Sequence, residues 1–200
     1  KGNLVKKKYH ALAEAFLPCE EIEDKKSKGQ FGELKQEIAN VPVIYIKSFT
    51  NMCEIGKEDF SFIHPSANIE NKGRKVFEQI HKNTVGVHIR RTDHIEAIAN
   101  SPLELFFDRM QREITNSDAN FYVTTDDRTV EQELKKYFPT DKLIFYENKV
   151  IDRDSKEGIE DAMIDMFCLS KCSKILGSFN STFSLIPSIM GGIPLEIVTK

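Results

Sequence analysis

From residue 84 onward the chain alternates short β-branched runs with amphipathic stretches, and that order admits few folds. "TVGVHI" (84–89), "NFYVTT" (120–125), "KLIFY" (142–146), "KILGS" (174–178) and "PLEIV" (194–198) read as strands. Between them lie four helical patterns. "SPLELFFDRMQREI" is announced by Ser101 at the N-cap, Pro102 at N1 and Glu104 at N3, with Leu103, Phe106, Phe107, Met110 and Ile114 on one face. "TVEQELKKYF" buries Val130, Leu134, Tyr137 and Phe138, "GIEDAMIDMFCLSKC" is the third, and "STFSLIPSIM" begins a helix expected to be interrupted near Pro187. Strand and helix in strict turn predict the α/β class: a Rossmann-like, mostly parallel sheet with helices on both faces.

Residues 1–83 are less regular, and the expected division is an N-terminal region and linker over 1–83 followed by a Rossmann-like domain over 84–200. Residues 3 to 17 suit an amphipathic helix stopped by Pro18, "EEIEDKKSKGQFGE" reads as a loop, and "VPVIYIKSF" (41–49) as a strand. "FIHPSANIENKGRKVFEQIHKN" supplies a turn and a helix packed by Ile69, Val76, Phe77 and Ile80. The opening "KGNLVKKKYHALAEAF" has no Met and fits the continuation of an earlier segment, so this region is expected to be incomplete.

In such sheets ligands bind beyond the carboxyl ends of the strands, where helix N-termini and free N–H groups converge. The polar residues of this chain fall there: "HIRRTDH" after the first strand, "TTDD" after the second, "GSFNSTFS" after the fourth. Arg90 and Arg91 are neighbours in an extended segment and so face opposite ways, one free to address a phosphate while the other ties to a structural carboxylate. The plainer reading is an Arg pair held by Asp93 or by Asp126 and Asp127, fixing a loop. His88, on the Arg90 side of the strand, either meets a ligand or is satisfied internally. Asp127 caps the following helix or orients the Arg pair. Asn180, Ser181 and Thr182 offer caps and donors for an anion or ribose. Asp165 interrupts an apolar stripe and suits a base edge with two N–H donors, or else faces solvent. Glu160 and Asp161 read as acids favoured by a helix N-terminus.

Composition sets the limits. With 28 Lys+Arg against 31 Asp+Glu the net charge is -3, so nothing general draws the chain to nucleic acid or an anionic membrane, and no apolar run reaches a membrane span. Cys19, Cys53, Cys168 and Cys172 have no framework spacing and no His beside them, which suggests structural thiols, no metal and a cytoplasmic location. P-loop, dinucleotide, zinc-hydrolase and nucleophile-elbow motifs are absent from the sequence.

"VGVHIRRTDH", then "FYVTTDD", "IDMFCLSKCSKILGSFNSTFS" and "GGIPL", resemble the donor-binding half of the α-1,2/α-1,6 fucosyltransferase superfamily, more closely its bacterial α-1,2 members, over residues 84 to 200. The resemblance implies a GT-B architecture of which this is the C-terminal half, GDP-fucose as donor, no metal cofactor, and inverting transfer to a hydroxyl of a glycan acceptor, with α-1,2 linkage. It implies that Arg90 holds the β-phosphate, Arg91 supports the loop, and Asp165 accepts from guanine. His88, Asn180, Ser181 and Thr182 complete the nucleotide pocket, with Asp93 and Asp127 as supporting carboxylates. Glu96 is the candidate base, because α-1,6 relatives place a glutamate shortly after the Arg motif. Two features depart from the pattern: the chain has no Trp, and its first 83 residues lack the family's glycine-rich opening. Rival readings are another GT-B nucleotide-sugar transferase, a non-catalytic or degenerate nucleotide- or glycan-binding domain, and a Rossmann protein for sugar phosphates.

Overall fold

The structure, a computed structural model, describes residues 55–200 and, before them, two short strands, β1 (Glu21–Ile22) and β2 (Tyr45–Ile46), which pair in parallel. β1 falls where the sequence reads as loop, and β2 falls inside the expected strand. The helix expected over 3–17, with Cys19 and Cys53, lies outside the described residues. The chain divides into two compact units, Lys1–Ile55 and Gly56–Lys200. Residues 56–83, grouped by the sequence with the N-terminal region, therefore belong to the second unit. Helix α1 (Ala67–Phe77), capped by Ser66, shows why: it buries Ile69 and Val76 in one core with Ile164 and Phe167.

The second unit is built on one parallel sheet of five strands in the order β5-β4-β3-β6-β7: β3 (Thr84–Ile89), β4 (Asn120–Thr125), β5 (Leu143–Phe145), β6 (Ile175–Gly177) and β7 (Leu195–Ile197). The helices between them are α2 (Ile95–Asn100), α3 (Leu103–Ser117), α4 (Arg128–Tyr137), α5 (Lys156–Ser170) and α6 (Thr182–Gly191). The two faces of the sheet follow from side-chain alternation. Val85, Val87, Ile89, Phe121 and Val123 pack with Phe106, Met110 and Leu134 of α3 and α4. Tyr122 and Ile175 pack on the other face with Ile69 of α1 and with Ile164, Cys168 and Leu169 of α5. β3 is central, and chain order runs outward from it in both directions, so the switch point lies between β3 and β6.

Local differences from the sequence reading have physical causes. Pro102, at φ -62 and ψ 153, takes the cap position of α3, and the Ser101 hydroxyl instead accepts the Phe179 N–H at 2.8 Å. α2 was not expected, since six residues carry too little period; its cap is His94, whose Nδ1 accepts from the Ala97 N–H at 3.0 Å. α6 runs unbroken through Pro187. There the proline forfeits a single helical hydrogen bond and its ring is buried, which offsets that loss.

Candidate nucleotide-sugar site

The loops after β3 and β6 are stitched together at the switch point. The Arg90 N–H donates to Ser178 Oγ at 2.8 Å, and that hydroxyl donates to the His88 carbonyl at 3.1 Å. Beside them opens a cavity of about 540 Å³ whose wall includes His88, Arg90, Asp165, Asn180, Ser181 and Thr182. A space of that size suits a nucleotide. Six of the ten residues singled out by sequence thus share one wall, whereas Arg91, Asp93, Glu96 and Asp127 do not line it.

Arg90 and Arg91 diverge as adjacent strand-end residues should, but the carboxylates sit on the unexpected one. The Arg90 guanidinium pairs with both Asp93 and Asp126. Asp126 organises the whole turn: it also accepts the Arg91 N–H at 2.7 Å and the Thr92 hydroxyl at 2.6 Å. Thr92 has φ 37, a strained value for a β-branched residue, and this turn holds it there. Asp93 also receives Arg153 at 3.2 Å, and is itself largely exposed. Arg91 points away from the cavity wall; its Nη1 donates to the Arg90 carbonyl at 2.9 Å, and its buried Nη2 has no partner among the described residues. Burial pulls its pKa down, against the attraction of Asp126 and Glu104.

His88 is buried with Nδ1 2.7 Å from Ser184 Oγ and its ring against Phe183, the centroids 5.0 Å apart. Burial first, then the charges of Arg90 and Lys149, lower its pKa to about 3, so the ring is neutral. Gly177 makes the contact possible. It pairs with His88 across β3 and β6, and a Cβ there would stand 2.6 Å from Ser184 Cβ.

Asp165 does not face solvent. One oxygen accepts the Tyr122 hydroxyl, and the other accepts Thr124 Oγ1 at 2.6 Å and Lys149 Nζ at 3.2 Å. Burial, then the Asp165 charge, pushes the Tyr122 pKa far up, so it stays a donor. Asp161, read as a helix-terminus acid, is instead a buried clamp: it accepts the Val150 N–H at 2.7 Å and the Tyr146 hydroxyl at 3.1 Å, and pairs with Lys72 at 2.6 Å. Gly158 lets the same loop lie on α5, since a Cβ there would meet the Asp152 carbonyl oxygen at 1.9 Å.

Asp127 is the N-cap of α4, accepting the Thr129 N–H at 2.8 Å, as one of its two sequence readings required. Glu96 lies on the exposed side of α2, outside the cavity. Lys149 is the residue that sequence reasoning passed over, and Asp126 was named only jointly with Asp127 as a holder of the Arg pair. Asp126 had a signal, because it shares the strand parity of Thr124 and so faces the cavity, as Asp127 does not. Lys149 had none, since its burial arises only when the loop wraps α5. Cys168 and Cys172 are buried thiols within the α5 core, and among the described residues no group of three His, Cys, Asp or Glu is placed to hold a metal. Among those residues no helix is long and apolar enough to cross a membrane.

No family model matches the chain, and no curated protein is similar to it in sequence. Solved structures do match. POFUT1 in complex with GDP is 14% identical with TM-score 0.51, over 85% of this chain and 59% of that one. NodZ alpha-1,6-fucosyltransferase soaked with GDP-fucose is 18% identical with TM-score 0.52, over 84% of this chain and 60% of that one. The same enzyme co-crystallised with GDP gives 18% and 0.51. The chain spans about 60% of the length of these structures. At such identities the likeness is one of fold: the five-stranded parallel unit described above is a Rossmann-like half of a GT-B architecture.

Proposed function

We propose that the chain is the donor-binding part of a glycosyltransferase that takes fucose from GDP-fucose and moves it, with inversion, to a hydroxyl of a glycan acceptor. The observation that carries this reading is Arg90: a guanidinium fixed at the switch point of the sheet, on the wall of a cavity of nucleotide size. The likeness to folds solved with GDP and GDP-fucose supports the choice of donor. The α-1,2 linkage is a finer proposal that rests on sequence likeness alone; a solved structure of similar fold is named as an α-1,6 enzyme.

The chemistry follows from the geometry. As the bond between sugar and GDP breaks, negative charge grows on the β-phosphate, and a preorganised guanidinium stabilises it without a metal. Asp126 and Asp93 each hold one Nη of Arg90, which leaves three of its five N–H groups for phosphate oxygens. Of the two carboxylates the exposed Asp93 is the one a phosphate displaces, because Asp126 is fixed by two further donors. The neutral His88 contributes a hydrogen bond and no charge. Asn180, Ser181 and Thr182, at the start of α6, offer donors to the diphosphate or ribose. Glu96 stands two residues beyond His94, which does line the cavity; its role as base requires the acceptor hydroxyl to arrive at that rim.

That placement of Glu96 also favours a second reading, a nucleotide-binding domain without catalysis. Calorimetric titration with GDP-fucose, GDP-mannose, GDP, UDP-galactose and ADP, run alongside donor hydrolysis, separates the two. The enzyme reading expects GDP species to bind and the donor to turn over, and expects Arg90→Ala to weaken GDP at least about tenfold, the cost of one charged hydrogen bond. Unchanged GDP affinity in R90A sinks the phosphate assignment; binding without turnover selects the second reading.

A further inference from the structure

Lys149 is a buried charge in the cavity wall that the proposed chemistry leaves unused. It is only 7% exposed, and Asp165 beside it only 4%. The ammonium donates to Asp165 Oδ2 at 3.2 Å and to Thr124 Oγ1 at 3.3 Å, and its third N–H has no partner among the described residues. Asp165 accepts from Tyr122, Thr124 and Lys149, three of the roughly four hydrogen bonds a carboxylate takes. Both residues line the same cavity as Arg90. The wall therefore offers one strong donor next to one strong acceptor, both desolvated, in a space that also holds the guanidinium.

A buried ion pair is a poor way to stabilise a core, because taking two charges out of water costs about as much as their attraction returns. Tyr122 and Thr124 already satisfy Asp165 as neutral donors, so the fold alone gives no reason for a lysine. A ligand does. A ring carbonyl carries more negative charge than a ring nitrogen and suits an ammonium, while the lactam N–H beside it is more acidic than an exocyclic amine and suits a carboxylate. An amidine edge such as adenine's matches neither as well.

Resting on the nucleotide reading above, we infer that Lys149 is a specificity-determining residue: its ammonium donates to the ring carbonyl of a lactam base, and Asp165, which it holds in place, accepts the adjoining ring N–H. The ligand class is thereby a nucleoside diphosphate whose base carries a carbonyl next to an N–H, and the exocyclic amine of guanine is not what the pair reads.

The test is calorimetric titration of the full chain and of Lys149→Met with GDP, IDP and ADP. IDP keeps the lactam edge and lacks the exocyclic amine. The wild type is expected to bind GDP and IDP within about threefold of each other and both at least about tenfold more tightly than ADP; K149M is expected to lose about tenfold or more for GDP and IDP and less than about threefold for ADP, the signature of one charged hydrogen bond. Equal losses for all three nucleotides, or none, overturn the inference and leave Lys149 a structural residue. A wild type that binds GDP but not IDP overturns it as well, by giving the discrimination to the amine. If the wild type binds no nucleotide, the functional reading itself fails, which is a distinct result. Should K149M not fold, K149M combined with Asp165→Asn buries no unpaired charge and must likewise bind GDP no better than ADP.

Discussion

His88 makes its hydrogen bond to Ser184 inside the wall of the cavity, and its pKa falls from 6.5 to about 3 through burial and the nearby charges of Arg90 and Lys149. In the unfolded chain the imidazole takes up a proton as pH drops through 6.5, whereas in the folded chain it does not until about 3. Its contribution to stability is therefore complete above the unfolded pKa and is lost as pH falls between those values, at up to about 1.4 kcal/mol per pH unit. His88→Gln still has a partner for Ser184 but no charge to gain. Urea denaturation of H88Q is expected to lose stability less steeply from pH 6.5 to 4.5 than the wild type, and parallel slopes would refute the assignment. At this scale the sequence disclosed Arg90 and His88, because strand parity and position at a carboxyl end are local properties. It did not disclose that Asp126 rather than Asp127 holds the arginine, although parity favoured it, nor Lys149, whose neighbours are supplied by β4 and α5.

The elements themselves were largely written in the chain, and the exceptions are instructive. β3 and β4 match their sequence bounds because "TVGVHI" and "NFYVTT" are β-rich runs that each end at a charged residue, Arg90 and Asp126. α2 escaped notice because its six residues are held by one histidine cap and by position, not by an apolar stripe. The approach of α6 to β6 was equally hidden, since it depends on what Gly177 lacks. A methyl group at that position would stand 2.6 Å from Ser184 Cβ and 3.0 Å from Leu195 Cδ1, and a Cβ cannot rotate aside. Gly177→Ala is thus expected to push α6 outward, break the bond between His88 and Ser184, and cost about 1–3 kcal/mol in urea denaturation. It should weaken GDP too, because Asn180, Ser181 and Thr182 move with that helix. Wild-type stability in G177A would mean that α6 does not set the cavity.

For the unit Gly56–Lys200 as a whole, the cavity is where separate parts of the fold meet: the ends of β3 and β4, the loop leading into α5, and the start of α6. A ligand bridging them binds the folded state and not the unfolded one, so its affinity reappears as stability. On the proposed nucleotide reading, GDP at a hundred times its Kd is expected to add about 2.7 kcal/mol. For a domain of this size that raises Tm by roughly 5–10 °C, at about 2–4 °C per kcal/mol. Arg90→Ala is expected to remove most of the shift at the same GDP concentration, while changing the unliganded Tm less, because Asp126 retains the Arg91 N–H and the Thr92 hydroxyl. Divalent cations decide what bears the phosphate charge. If Arg90 neutralises it, the GDP shift persists in EDTA and gains nothing from added magnesium. A shift that appears only with magnesium would pass the phosphate to a cation and return Arg90 to its plainer role, the arginine that two carboxylates hold to fix a strained turn.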